Sequence, residues 1–236
     1  MNGFSSEEGF GVVDMSGQRS RAALVERRRE KVEVEVVSIV VGRGEEHVRG
    51  TTGSVTLILY KDVKLLIDCG DPWNGPEILA NLQKRGVSAE EVTHVAITHG
   101  HIDHIGNLHL FPNATFIMSR DRGQRLPNGV PEYNEADQDE DRPLFTIVPE
   151  LIWMSAFEEI PGAYFLFTTA HSAEDLMFYV NTKDGVLIVA GDLFENEDLG
   201  GDVPMPVNPA NYNVLREAVL DRADFIVPGH GRIFFK

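Results

Sequence analysis

The run His99-Gly-His101-Ile-Asp103-His104 sets four groups able to ligate a metal within six positions. Imidazole and carboxylate are borderline donors that suit zinc, and a turn through Gly100 can aim His99 and His101 at one ion while Asp103 and His104 face another. A polar loop has no structural need for such a density of ionisable side chains. A complete ligand set needs partners from elsewhere in the chain, and three residues stand immediately beyond strand-like runs: His171 after YFLFTTA, Asp192 after VLIVAG, and His230 in VPGHG. Two cations about 3.5–4 Å apart lower the pKa of a shared water towards roughly 7, so such a group would do hydrolytic chemistry at neutral pH. Asp103 is placed to orient the attacking water or take its proton. The ligands alone permit esters, thioesters, lactams and phosphodiesters as substrates.

The other histidines have plainer explanations. His94 lies in an apolar run and is read as a packed or strand-edge residue, His109 as a neighbour of the site or a surface residue, and His47 as part of a polar loop. Cys69, the single cysteine, is read as a small buried hydrophobe, since no base or second thiol is spaced to activate it.

The elements that must position these residues follow from hydrophobic period. Residues 32–42 alternate and then run apolar, and 54–60 and 63–68 are two β-rich segments separated only by Lys61 and Asp62, the spacing of a tight hairpin. Pro76 and Gly86 bracket a helix with an apolar stripe of Ile78, Leu79 and Leu82. A helical turn at 88–91 precedes a buried strand over 92–98 that delivers the chain to the histidine cluster. A helix is expected over 105–111 and strands over 114–119, 151–154, 164–169, 177–182 and 186–190. Residues 120–142, which hold an acidic run, and the Gly- and Pro-rich stretch 195–211 read as long loops that wall the site. A helix over 214–222 and a strand over 225–227 close the chain. Few helices, many strands and hairpins among them predict two sheets packed face to face with helices outside, in preference to a doubly wound parallel sheet, which needs a helix between nearly every pair of strands. Residues 1–31 are expected to be an N-terminal arm, partly disordered or a short helix, whose Arg27, Arg28 and Arg29 form a solvated face; residues 32–236 form one domain.

THGHIDH, then His171, then Gly191-Asp192, then Gly229-His230-Gly231 resembles the metal motifs of the metallo-β-lactamase superfamily, all of them and in order, with Asp68 in LLIDCGDP matching the first motif. The resemblance runs from about residue 32 to the end. It implies an α/β fold, the metallo-β-lactamase αβ/βα sandwich of two mixed β-sheets, and a pair of metal ions. Carried over by position, His99, His101 and His171 hold the first ion, Asp103, His104 and His230 the second, Asp192 bridges both, and Asp68 supports the metal loop without ligating. Zinc is the expected metal, and iron or manganese suits the same ligands. One departure is Thr169-Ala170-His171 where the family has Pro-Gly-His, which keeps the ligand and alters its loop. The closer likeness within the family implies an endoribonuclease that processes the 3′ end of replication-dependent histone pre-mRNA, found in cytosol and nucleus as a homodimer.

Charge argues partly the other way. Against 37 Asp and Glu stand 21 Lys and Arg, a formal net charge of −16, which repels a polyanion. Only the ions and a few residues such as Arg120, Arg122 and Arg125 are available to hold RNA, and the chain length leaves no room for the clamp domain inserted in larger nucleases of the family. A small-molecule thioesterase similar to glyoxalase II is therefore the alternative enzyme, and a metal-binding regulatory protein without turnover is the alternative from another class. Neither a spanning segment nor a secretory leader is legible, and with one cysteine the chain is expected to be soluble and intracellular, with no membrane partner.

Overall fold

The computed structural model describes residues 31–44, 47, 50–119, 153–198 and 206–235. Residues 1–30 of the expected N-terminal arm, the polar excursion with Arg120, Arg122 and Arg125, and the first two residues of the strand expected at 151–154 lie outside these. In chain order the strands are β1 (Glu35–Val40), β2 (Val55–Tyr60), β3 (Val63–Ile67), β4 (His94–Ala96), β5 (Thr115–Ile117), β6 (Trp153–Ala156), β7 (Ala163–Thr168), β8 (Asp175–Thr182), β9 (Gly185–Gly191), β10 (Phe225–Pro228) and β11 (Phe234–Phe235). The α-helices are α1 (Gly75–Lys84), α2 (Ile102–Ile105) and α3 (Pro209–Arg222).

The strands form two mixed sheets, β1-β2-β3-β4-β5 and β11-β10-β9-β8-β7-β6. In the first, β1, β2 and β3 are antiparallel neighbours, and β3-β4-β5 are parallel. In the second, β6 to β9 form an antiparallel meander, β10 joins β9 in parallel and β11 folds back on β10. Lys61, at a φ of 50°, turns the β2–β3 hairpin in the space the sequence allotted to it.

Three apolar clusters separate the layers, and strand alternation sorts residues among them. On β8, Leu176, Phe178 and Val180 face β3 and β4 residues Leu65, Ile67 and Ala96 between the two sheets, while Met177 and Tyr179 turn outward onto α3 through Leu215 and Val219. On β2, Ile58 joins the inter-sheet cluster and Leu57 packs outward with Ile78 and Leu82 of α1. Helix, sheet, sheet and helix thus stack in the αβ/βα order.

Three boundaries differ from the sequence expectation. The helix expected at 105–111 is two short pieces: α2 runs through the histidine cluster itself, and a 3-10 turn follows at Leu108–Leu110. Gly106 N–H donates to the Gly70 carbonyl at 2.8 Å, which pulls the chain out of helical continuation. The loop expected to last to residue 211 ends earlier, because Asn208 caps α3 by accepting from Asn211 N–H at 3.2 Å and Pro209 pre-sets the first helical residue. The two-residue β11 was not foreseen. No described helix is long and apolar enough to cross a membrane.

Candidate metal centre

Every strand that carries a site residue ends on the same rim of the sandwich. Asp68 follows β3, the histidine cluster follows β4, His171 lies between β7 and β8, Asp192 follows β9 and His230 follows β10. The structure brings the seven expected ligands together. His99, His101, His171 and Asp192 form one group of ligand atoms all within 4.8 Å of one another, and Asp103, His104 and His230 form another.

In the first group, His99 Nε2 and His101 Nδ1 are 2.9 Å apart, His101 Nδ1 and His171 Nε2 3.2 Å, and Asp192 Oδ2 lies 3.5 Å from His99 Nε2 and 3.4 Å from His171 Nε2. Four donors about 2.0–2.1 Å from a tetrahedral cation would sit about 3.3 Å from each other, so these spacings are those of a ligand shell. In the second group, Asp103 Oδ2 is 3.5 Å from His230 Nε2 and 3.8 Å from His104 Nε2. Asp192 reaches both: its Oδ1 is 3.2 Å from His104 Nε2, and its Oδ2 is 3.3 Å from His230 Nε2.

The side chains are held in ligating form by what lies behind them. Asp68, buried and at a φ of 60°, accepts from Thr98 N–H and Thr98 Oγ1–H, both at 2.7 Å, and from His104 Nδ1–H at 2.7 Å. With its hydrogen given to Asp68, Thr98 Oγ1 can only accept from His99 Nδ1–H, at 3.1 Å. His230 Nδ1 faces the carbonyls of Thr52 and Arg43 at 3.0 and 3.2 Å, and a carbonyl only accepts, so this nitrogen carries a hydrogen. All three rings therefore present Nε2 to the centre. Asp68 thus braces the Thr98 turn and the His104 ring from behind.

Two buried atoms test whether the residues fit cations. His104 Nε2 and Asp192 Oδ1 make no properly directed hydrogen bond, although His104 is wholly buried and Asp192 only 5% exposed. Leaving such atoms unpaired is costly unless something else satisfies them. A pair of divalent cations does so for both. The cluster is a dinuclear metal-binding site, and its metal can be any borderline or moderately hard divalent ion.

Without cations, the site holds protons instead. Burial is the largest influence on His230 and works against its charged form, but the Asp192 carboxylate outweighs it and raises the imidazole to about 9. His104 likewise stands well above the ordinary value, as Asp192 and Asp68 overcome its burial. His99, dominated by burial and by the charge of His104, falls to about 3. A raised folded-state value means that the His230 contribution to the ion-free fold is full below about 6.5 and fades as pH rises through about 9. Ligation needs the deprotonated ring, so metal loading at pH 7.5 should release protons, and affinity should climb towards pH 9. Calorimetry in two buffers of different ionisation heat checks this; equal heats in both would contradict it.

Sequence reading missed several contributors. Asp175 clips the His171 loop: its carboxylate accepts from Ala170 N–H at 2.8 Å, Ser172 N–H at 2.9 Å and Ser172 Oγ–H at 2.6 Å. The S-x-x-D spacing of Ser172 and Asp175 was the available signal. Asn107 fastens the loop after Asp68, donating to the carbonyls of Cys69 and Asp71. Glu195 lines the cleft, its carboxyl pushed up to about 7 by burial and by the charge of Asp192. Of the remaining histidines, His94 packs edge-on to Phe157 as expected, His109 is exposed, and His47 is exposed beside a neighbouring groove. Cys69 is fully buried, and burial lifts its thiol out of the reactive range. Replacing Asp175 with Asn removes one acceptor oxygen from the clip and should weaken metal affinity and turnover by about 10–100-fold with the fold intact. Metal titration alongside circular dichroism decides this, and wild-type affinity would refute the clip.

The centre opens into a cleft of about 460 Å³ lined by His101, Asp103, His171, Asp192, Glu195 and His230, with Trp73 and Ile102 at its lip. Both lip residues are strongly exposed, 85% and 62%.

Comparison with known proteins agrees with this geometry. The sequence profile of the metallo-beta-lactamase superfamily matches residues 48–230. The chain is 37% identical over 184 residues to metallo-beta-lactamase domain-containing protein 1 of Xenopus laevis, covering 77% of this chain and 72% of that one. Matches to the mouse, rat and human proteins of that name are 35–36% identical and span only 59–62% of those chains. An N-acyl homoserine lactonase of Bacillus cereus is 24% identical over 65% of this chain and 61% of its own. Among solved structures, an N-acyl homoserine lactone hydrolase with the product N-hexanoyl-L-homoserine at its catalytic metal centre superposes with a TM-score of 0.60 at 16% identity, covering 86% and 94% of the two chains, which is a likeness of fold.

Proposed function

The chain belongs to the metallo-beta-lactamase superfamily, and from that premise we propose that this metallohydrolase cleaves the acyl bond of a small, partly apolar molecule, a thioester or lactone. The observation that carries the reading is the wall of the cleft. Trp73 and Ile102 give it an apolar lip, Asp71, Asp103, Asp192 and Glu195 make it acidic, and its described lining holds no Lys or Arg. An acyl chain gains from the lip by burial, whereas a polyanion meets carboxylates. The Bacillus relative named an N-acyl homoserine lactonase supports the same substrate class.

His99, His101 and His171 would hold the first ion, Asp103, His104 and His230 the second, and Asp192 both. Bound there, a pair of divalent cations would supply polarisation of the scissile carbonyl and a water acidic enough to ionise near neutral pH. Asp103, half-buried in the cleft lining, receives the proton of the attacking water and passes it towards the leaving sulfur or oxygen. Asp68 and Thr98 keep His104 and His99 from rotating out of the ligating tautomer. The lip fixes the acyl chain so that its carbonyl faces His101 and Asp103.

A second reading, cleavage of RNA, has one observation in its favour: Arg43 and Arg232 line a groove of about 430 Å³ that adjoins His230, although Glu197 and Asp198 share it. The metal-loaded protein should be offered thioesters, lactones and a histone pre-mRNA 3′ fragment in parallel. Turnover of an acyl substrate, lost on His101→Ala, with no RNA cleavage supports the proposal. RNA cleavage whose binding falls steeply with salt, and no acyl turnover, overturns it.

A further inference from the structure

Asp192 and His230 belong to a further grouping that the family motifs do not include. A Glu195 carboxylate oxygen lies with an Asp192 oxygen and a His230 ring nitrogen so that all are within 4.8 Å of one another. Glu195 stands three residues beyond Asp192 on the loop that leaves β9, and the backbone holds that loop against the end of β10: His230 N–H donates to the Glu195 carbonyl at 2.7 Å, and Gly229 N–H to the Phe194 carbonyl at 2.8 Å. The side chain is half-buried and turns into the cleft among Asp103, Asp192 and His230, with no Lys or Arg in the described lining to neutralise it. A carboxylate in that position repels its neighbours unless a cation sits between them. The unpaired Asp192 Oδ1 and His104 Nε2, both deeply buried, independently mark the same side of the centre as short of a cation.

We propose that Glu195 is an additional ligand of the second cation, making with Asp103, Asp192, His104 and His230 a five-donor position richer in carboxylate than the first. This rests on the dinuclear site described above. The two positions then differ in kind. Three imidazoles and one shared carboxylate suit a four-coordinate borderline ion such as zinc, whereas three carboxylates and two imidazoles suit a harder ion of higher coordination number, such as manganese or ferrous iron. A mixed-metal centre is the natural occupant, and manganese should discriminate between the positions more sharply than zinc.

The test is cation binding by the full chain, independent of any substrate. Wild type, Glu195→Gln and Glu195→Asp are stripped with a chelator and titrated separately with Mn²⁺ and Zn²⁺. Stoichiometry and stepwise affinity come from chelator competition, and Mn²⁺ coordination from electron paramagnetic resonance. Wild type is expected to bind two Mn²⁺. Glu195→Gln, which keeps the side-chain volume, should keep the first ion and weaken the second Mn²⁺ by at least about tenfold, with a smaller effect on Zn²⁺. Glu195→Asp, charged but one carbon shorter, should also lose second-site Mn²⁺ affinity. Two Mn²⁺ bound with wild-type affinity by both variants overturns the assignment and leaves the dinuclear site standing. Fewer than two ions of either metal in wild type overturns the dinuclear site and this assignment with it.

Discussion

Replacing Asp192 with alanine is expected to lower hydrolysis by at least about 10³-fold and to leave the protein with fewer than two tightly held cations. The magnitude follows from what the carboxylate touches: ring nitrogens of His99, His104, His171 and His230 all lie within 3.2–3.5 Å of its two oxygens. Removing a single electrostatic stabiliser from an active site costs about 10²–10³-fold, and this residue reaches ring nitrogens of both ligand groups at once. Its carboxyl is held well below the usual range, since the imidazoles of His104 and His99 overcome its burial, so it stays ionised across the working pH range. Asp192→Asn separates charge from shape. The amide fills the same space and offers one weaker donor, so metal content should fall less than in the alanine variant. Metal analysis after dialysis and turnover at fixed metal concentration measure both, and full metal content with turnover within tenfold of wild type would contradict the bridging role.

The second large effect comes from a residue with no side chain. A methyl group on Gly229 would overlap Asp192 Oδ1 outright and press on the Asp192 backbone nitrogen at 3.1 Å. Gly229→Ala must therefore displace either the carboxylate or the β10 end that carries His230. Overpacking of this kind costs about 1–3 kcal/mol of stability, and here the displaced group is the carboxylate that reaches both ligand groups. The expected outcome is a folded protein of lower melting temperature that has lost at least about 10²-fold in turnover and most of its second-ion affinity. Gly191 is constrained in a related way, at a φ of 54° with a prospective Cβ 2.8 Å from Thr98 Cβ, so the β9 exit fits against Thr98 only as glycine. Wild-type metal binding by Gly229→Ala would show that the carboxylate has more room than this packing allows.

The cluster of His and Asp side chains was legible in the sequence because its information is local. Four of them share six positions, and His171, Asp192 and His230 each end a run whose apolar character already declared a strand. The layer order was legible for a similar reason, since a hairpin spacing and period-two alternation exclude the doubly wound alternative. What escaped was set by contacts between distant segments. Glu195 becomes a site residue only because β9 and β10 pair in parallel and bring residue 195 against residue 230. β11 exists only as a partner for β10, and two phenylalanines carry no period. α2 ends where it does because Asp68, Cys69 and Gly70 bond to His104 and Gly106 from far upstream. The start of α3 was different: the pair Asn208-Pro209 is a capping signal in plain view, and it lay hidden within a stretch whose Gly and Pro content read as loop.

Anomalous diffraction from crystals of the metal-loaded protein, recorded at the absorption edge of the added metal, tests the dinuclear centre most directly. Two peaks about 3.5–4 Å apart are predicted, one among His99, His101 and His171 and the other among Asp103, His104 and His230, with Asp192 between them. A single peak, or peaks away from these residues, would contradict the account.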